Sequence, residues 1–117
     1  MRLLMPERIR LRECSGDFLT RRQGEELRAK LVGWHEHLSS DDRLVIDFGG
    51  VDVMTPSFAD ECFGKFAERI GFANFLQTIS LVGAEETIRV LINSVLAGRE
   101  AKTDSDGNGR TTGRKRA

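Results

Sequence analysis

The chain has 117 residues, of which 39% are hydrophobic and 31% charged, a balance that suits one domain with a buried core and excludes the low-hydrophobicity signature of disorder. Eighteen basic residues offset eighteen acidic ones, so the summed charge offers no general attraction to nucleic acid or to anionic membrane. Two cysteines, Cys14 and Cys62, are too few for a disulfide framework or a zinc site and are expected as reduced thiols. No apolar run approaches the length of a membrane span, and the start of the chain is too short for a signal peptide's apolar region, so a cytoplasmic protein is expected.

Glu7-Arg-Ile-Arg-Leu-Arg12 alternates polar with apolar residues, the period of a strand that buries Ile9 and Leu11. A turn is expected over Cys14-Ser-Gly-Asp17. Thr20-Arg-Arg-Gln23 has the form of a capping box, in which hydroxyl and amide satisfy each other's free backbone donors. The helix that follows, to about Leu38, has its inner stripe at Leu27, Leu31, Trp34 and Leu38. Gly24 and Gly33 each weaken it by about 1 kcal/mol relative to Ala. His35 and His37 point to different sides and cannot share a metal, so both are expected in solvent.

After the Ser39-Ser-Asp-Asp42 turn, Leu44-Val-Ile-Asp-Phe48 is a nearly continuous apolar run, read as a central strand covered on both sides. Gly49-Gly50 ends it, and Asp47 is expected to bind the backbone of that turn. In Thr55-Pro56 the hydroxyl can cap a second helix and the proline suits its first position. This helix runs to about Ile70 and buries Phe58, Cys62, Phe66 and Ile70 at steps of four, with Ala59, Phe63 and Ala67 broadening the stripe. Asp60 and Glu61, adjacent and divergent, read as helix-surface charges. Thr78-Ile-Ser-Leu-Val82 is a third strand, and Glu85 to Ala97 a third helix with Ile88, Leu91, Ile92, Val95 and Leu96 inside.

The expected fold is therefore a small α/β domain of βαβαβα order over residues 1–97, with a mainly parallel sheet, the second strand in its centre and helices mostly on one face. Residues 98–117 read as a disordered polar tail. It holds six basic and three acidic residues, so the body before it has an excess of three acids.

The segment Val45-Ile-Asp-Phe-Gly-Gly-Val51, the Thr20-Arg21 helix start and Ser57-Phe-Ala-Asp-Glu61 together resemble the STAS domains, named for sulfate transporters and anti-sigma-factor antagonists, and more closely their STAS-like branch of unknown function. The resemblance spans about Glu7 to Ala97. It implies a non-enzymatic switch or adaptor that docks on a protein partner of the histidine-kinase-like ATPase type, with Arg21, Thr55, Ser57, Phe58, Asp60 and Glu61 on the partner-binding face and no metal or cofactor. In anti-sigma-factor antagonists the helix start reads Asp-Ser-Ser-Gly, and the first serine accepts phosphate. Here Thr55 falls on that aspartate and Pro56 on the acceptor, so Ser57 is the one candidate phosphoacceptor, shifted by a residue. No phosphorylation is expected there, because the Asp-Ser pair of the usual acceptor is missing; repulsion from Asp60 and Glu61 and attraction by the helix N-terminus nearly cancel. The alternative class is a nucleic-acid-associated protein acting through its basic tail, whose affinity would fall steeply with salt. An enzyme with a site at the strand ends ranks last, for want of a nucleophile, metal cluster or phosphate-cradling loop.

Overall fold

The computed structural model describes residues 8–14, 17–39 and 41–108. Its element order is β1 (Ile9–Arg10), a 3-10 turn at Leu11–Glu13, α1 (Arg21–Glu36), β2 (Leu44–Asp47), α2 (residues 56–70), α3 (Phe72–Thr78), β3 (Ile79–Val82) and α4 (Glu86–Asn108). The three strands form one parallel sheet in the order β1-β2-β3, with the apolar second strand in the centre as expected. Ile9 lies opposite Ile46, and Leu44 and Ile46 lie opposite Ile79 and Leu81.

This register collects one apolar layer. Ile9, Leu44, Ile46 and Ile79 are buried, and Leu81 packs against them. The other face of the sheet carries exposed Arg10 and partly exposed Val45, Asp47, Ser80 and Val82. Leu44–Phe48 is thus not covered equally on both sides; its burial alternates, and the helices pack on one face. Continuity of hydrophobic residues had suggested otherwise because Val45 is apolar, but its side chain lies on the more open side.

β1 is shorter than its alternation predicts. Pairing stops at Arg10, and Leu11 begins a 3-10 turn in which the Cys14 N–H donates to the Leu11 carbonyl at 2.9 Å. Leu11 is still fully buried, so the apolar period held where the ladder did not. Glu7 and the Ser15-Gly16 part of the expected turn lie outside the described residues, as does Ser40.

The capping box at the start of α1 forms: Thr20 Oγ1 accepts from Gln23 N at 3.1 Å, and Gln23 Oε1 accepts from Thr20 N at 3.4 Å. Leu27 and Leu31 are buried beneath, and Trp34 and Leu38 pack at the core's margin. His35 is not in solvent. Its ring meets Phe66 edge to face at 5.7 Å and its Nε2 lies 3.1 Å from Thr78 Oγ1.

α2 is the central helix, with α1 and α4 both in contact with it. Phe58, Ala59, Cys62, Phe63, Phe66 and Ala67 are all fully buried. The helix is not regular: α-helical Pro56–Ala59 passes through a π-helical turn, Asp60–Gly64, before α-helix resumes at Lys65–Ile70. Gly71, at φ +93°, ends it in a conformation that other residues rarely adopt. The short α3 that follows has no helical stripe in the sequence. It forms because Phe75 is buried against Phe66, with ring centroids 5.9 Å apart.

α4 begins close to the expected position and continues past Ala97 to Asn108. Arg99-Glu-Ala-Lys102 are good helix formers, and Arg99 is tied to α2 by ion pairs. The first half of the presumed disordered tail is therefore helix; residues 109–117 lie outside the described residues.

Candidate functional site

Thr55 caps α2 as its sequence predicts. Its Oγ1 accepts from Phe58 N at 3.1 Å and donates to the Leu19 carbonyl at 2.7 Å, while its own N–H donates to the Phe18 carbonyl at 3.0 Å. Phe18 also stacks edge to face on Phe58, with centroids 5.4 Å apart. These contacts fasten the Phe18-Leu19 segment to the helix start, and they bury Phe58 completely. Phe58 is consequently a core residue and not part of any docking surface. The exposed apolar side chains at this end are Leu19 and Val53, 43% and 62% exposed, two residues that helical or strand periodicity gave no reason to single out.

Asp60 and Glu61 are not solvated surface charges. Asp60 receives a two-pronged contact from Arg99 of α4, Nε to Oδ1 at 2.8 Å and Nη2 to Oδ2 at 2.9 Å, the fork geometry that suits guanidinium to carboxylate. Glu61 turns the other way, toward α1, and is only 8% exposed. Its carboxylate accepts from Arg28 Nη1 at 3.0 Å, Lys65 Nζ at 3.0 Å and Arg21 Nη1 at 3.1 Å. Arg21 spans the pair, lying 3.5 Å from Asp60 Oδ2 as well. On the α4 side Arg99 Nη1 also reaches Glu68 at 3.1 Å.

The π-helical turn is part of this network. Widening the helix makes the Lys65 N–H donate to the carbonyl of Asp60, five residues back, where a regular helix would use Glu61. The Glu61 carbonyl accepts instead from Arg28 Nη1. Arg28 thus holds both the side chain and the backbone of Glu61, and a guanidinium supplies what the backbone ladder gave up.

The electrostatic consequences follow directly. Hydrogen bonding from Arg99 holds the Asp60 carboxyl below its ordinary value of 3.8 and raises the Arg99 guanidinium. Burial pushes the Glu61 carboxyl up, but its bonds to Arg28, Lys65 and Arg21 outweigh that, and the balance lies below 4.5. Both acids are ionised at neutral pH, and neither holds a proton to donate.

A cleft of about 420 Å³ opens between the starts of α1 and α2 and the middle of α4; Arg21, Ser57, Asp60, Ser94, Arg99 and Lys102 are among its lining residues. Of the residues expected on the partner face, Arg21, Ser57 and Asp60 meet here, Thr55 and Glu61 support them from behind, and Phe58 lies in the core. At the far end of β2, Asp47 Oδ1 accepts from Gly49 N at 2.8 Å and Oδ2 pairs with Arg8 at 3.1 Å. This is the turn-binding role expected of it, and the Gly49 hydrogen bond, with Arg8, lowers its pKa. His37 Nδ1 lies 2.8 Å from the Gly33 carbonyl. Among the described residues no group of three or more His, Cys, Asp or Glu is placed to hold a metal ion, and no helix is long and apolar enough to cross a membrane.

The Thr-Arg and Ser-Phe-Ala-Asp-Glu helix starts here form one connected site beside a small parallel sheet whose central strand runs into Asp47-Phe48, and the family model for STAS-like domains of unknown function (DUF4325) matches residues 23–89. The chain belongs to this STAS-like family. The matched stretch takes in most of α1, β2, all of α2, β3 and the first residues of α4; it includes Asp60 and Glu61, while Arg21 and Arg99, which reach them from either side, lie outside the match. No curated protein and no solved structure matches the chain.

Proposed function

We propose that this STAS-like domain is a non-enzymatic docking module whose partner surface is the start of α2 together with the Phe18-Leu19 segment fastened to it. The observation that carries this reading is the exposure of Leu19, whose carbonyl accepts from Thr55, and of Val53, two residues before Thr55 in the chain. Exposed apolar side chains beside a polar cleft suit a protein interface, whose centre is apolar and whose rim is charged. By its resemblance to anti-sigma-factor antagonists, the partner is a histidine-kinase-like ATPase. The absence of catalytic work is supported by the state of the acids: with Asp60 and Glu61 both ionised and held by arginines, neither suits a general acid at neutral pH.

Crosslinking from the surface tests this. A photoreactive residue placed at Val53 in cells is expected to give one discrete adduct with an ATP-binding protein, which weakens when Arg21→Glu is added. The same residue placed at Leu76, exposed on α3, is expected to give none. Adducts from position 76 and not from 53 would move the docking surface elsewhere. An adduct indifferent to Arg21→Glu would remove the cleft from it.

A further inference from the structure

The cleft beside Ser57 has a charge pattern that docking alone does not use. Its lining carries three cations, Arg21, Arg99 and Lys102, against one acid, Asp60. The acids just outside are already answered, Glu61 by Arg28, Lys65 and Arg21, and Glu68 by Arg99. Arg99 spends all three of its nitrogens on Asp60 and Glu68. Arg21 does not: it meets Asp60 and Glu61 through Nη1 alone and is 57% exposed, which leaves the donors of Nε and Nη2 without an acceptor among the described residues. Lys102 and the hydroxyls of Ser57 and Ser94 likewise have no hydrogen-bond partner among the described residues.

We propose that this cleft binds a phosphate monoester dianion. The uncommitted fork of Arg21 matches two phosphate oxygens, the Lys102 ammonium supplies a second charge, and the two serine hydroxyls can donate to the remaining acceptors. A phosphate monoester carries about −1.5 to −2 charge at neutral pH, against a lining excess of two positive charges. Asp60 does not spoil the match, because its charge is held by Arg99. The ester can come from a phosphorylated side chain or from a small phosphorylated metabolite; both present the same group. The site stands on the cleft's own charge and goes beyond the docking reading.

The experiment is an NMR titration of the full chain with inorganic phosphate at pH 8, at ionic strength matched with sodium chloride. Amides of Ser57, Ser94 and Gly98 are expected to shift and saturate with a Kd below about 5 mM. Lys102→Glu is expected to weaken binding about tenfold or more. Lys30→Glu makes the same change in net charge beside a different cleft and is expected to leave the Kd unchanged. Shifts that do not saturate, or equal losses in the two variants, would mean only diffuse ionic attraction and would overturn the proposal. N-acetyl-O-phosphoserine and a hexose 6-phosphate then separate the two sources: the tighter ligand identifies the source, and either order supports the site provided both compete with phosphate. Because the titration contains no partner protein, a failed crosslink from position 53 and a failed titration are separate results.

Discussion

Glu61 concentrates the cost of this site in one side chain. Three cations from two helices converge on a carboxylate that is nearly out of solvent, and a fourth contact ties Arg28 to its backbone. Removing the acid leaves Arg28 largely buried with one carboxylate fewer, whereas Arg21 and Lys65 can turn to water. Glu61→Ala is therefore expected to cost about 2 to 3 kcal/mol, between the small worth of exposed pairs and the larger penalty of breaking a fully buried one. Lys65→Ala, which removes only the 39% exposed partner, is expected to cost about 0.5 kcal/mol. Urea midpoints of the two variants check both values, and equal effects would mean that burial of Glu61 is unimportant. The same arginines answer the two acids beside Ser57, and the argument against modification of Ser57 is still the displaced position of its hydroxyl, one residue after the usual acceptor.

At the scale of elements, the crossing of α1 and α2 depends on Gly24. A Cβ at that position would stand 2.8 Å from the Phe58 carbonyl and 3.3 Å from the Cys62 backbone nitrogen, atoms that cannot swing aside as a side chain can. Gly33, two turns or more along the same helix, has nothing within 4 Å of its added Cβ. The two glycines carry the same propensity penalty, and only one has a reason for it. Gly24→Ala is expected to destabilise by about 1 to 3 kcal/mol through overpacking, despite a gain in helix propensity. Gly33→Ala is expected to stabilise by about 0.5 to 1 kcal/mol. Chemical denaturation of both variants measures this, and the same sign for both would contradict the crossing. On the opposite side of α2, Gly64 admits α4 as closely: its Cβ would meet Asp60 Oδ1 at 2.9 Å and Val95 Cγ1 at 3.0 Å. The π-helical turn therefore runs between two close helix approaches, with an ion-paired acid for each neighbour.

For the whole molecule, the depressed carboxyls set how stability responds to acid. Asp60 and Glu61 bind protons less readily in the folded chain than in the unfolded one, whose values are near 3.8 and 4.5. Their contribution is fully present above those values and is lost as pH falls through the lower folded ones. Unfolding free energy is expected to be level from neutrality down to the ordinary carboxylate range and to decline below it. In Glu61→Gln that decline should be shallower. A wild-type profile that rose on acidification would contradict the network. The ion pairs also bear on how the tail can be tested. Cutting the chain at Gly98 would remove Arg99 and with it the bonds to Asp60 and Glu68, so a truncation after Asn108 is the one that isolates the basic end.

What the sequence determined by itself was local. Thr20 to Gln23 and Thr55-Pro56 announce helix starts because their side chains satisfy backbone donors within a few residues, and the steps of four through Phe58, Cys62 and Phe66 mark one helix face whatever lies opposite. The central place of β2 was legible in its nearly continuous apolar run between two alternating strands, and the Asp47 turn in the reach of its own side chain to Gly49. Tertiary structure decided the rest, because the deciding partners lie beyond one helical turn, nine positions away for Phe66 and Phe75 and about thirty to forty for the ion pairs. Arg28 and Arg99 take Asp60 and Glu61 out of solvent; Phe66 draws Phe75 into a helix without a stripe; Asp60 and Glu68 hold Arg99 and the continuation of α4 beside it. The charge of those groups is written in the chain, but whether a charge faces water or a guanidinium depends on which helices cross, and that is settled at Gly24 by how closely two backbones can approach and at Gly64 by the room left for the Val95 and Arg99 side chains of α4.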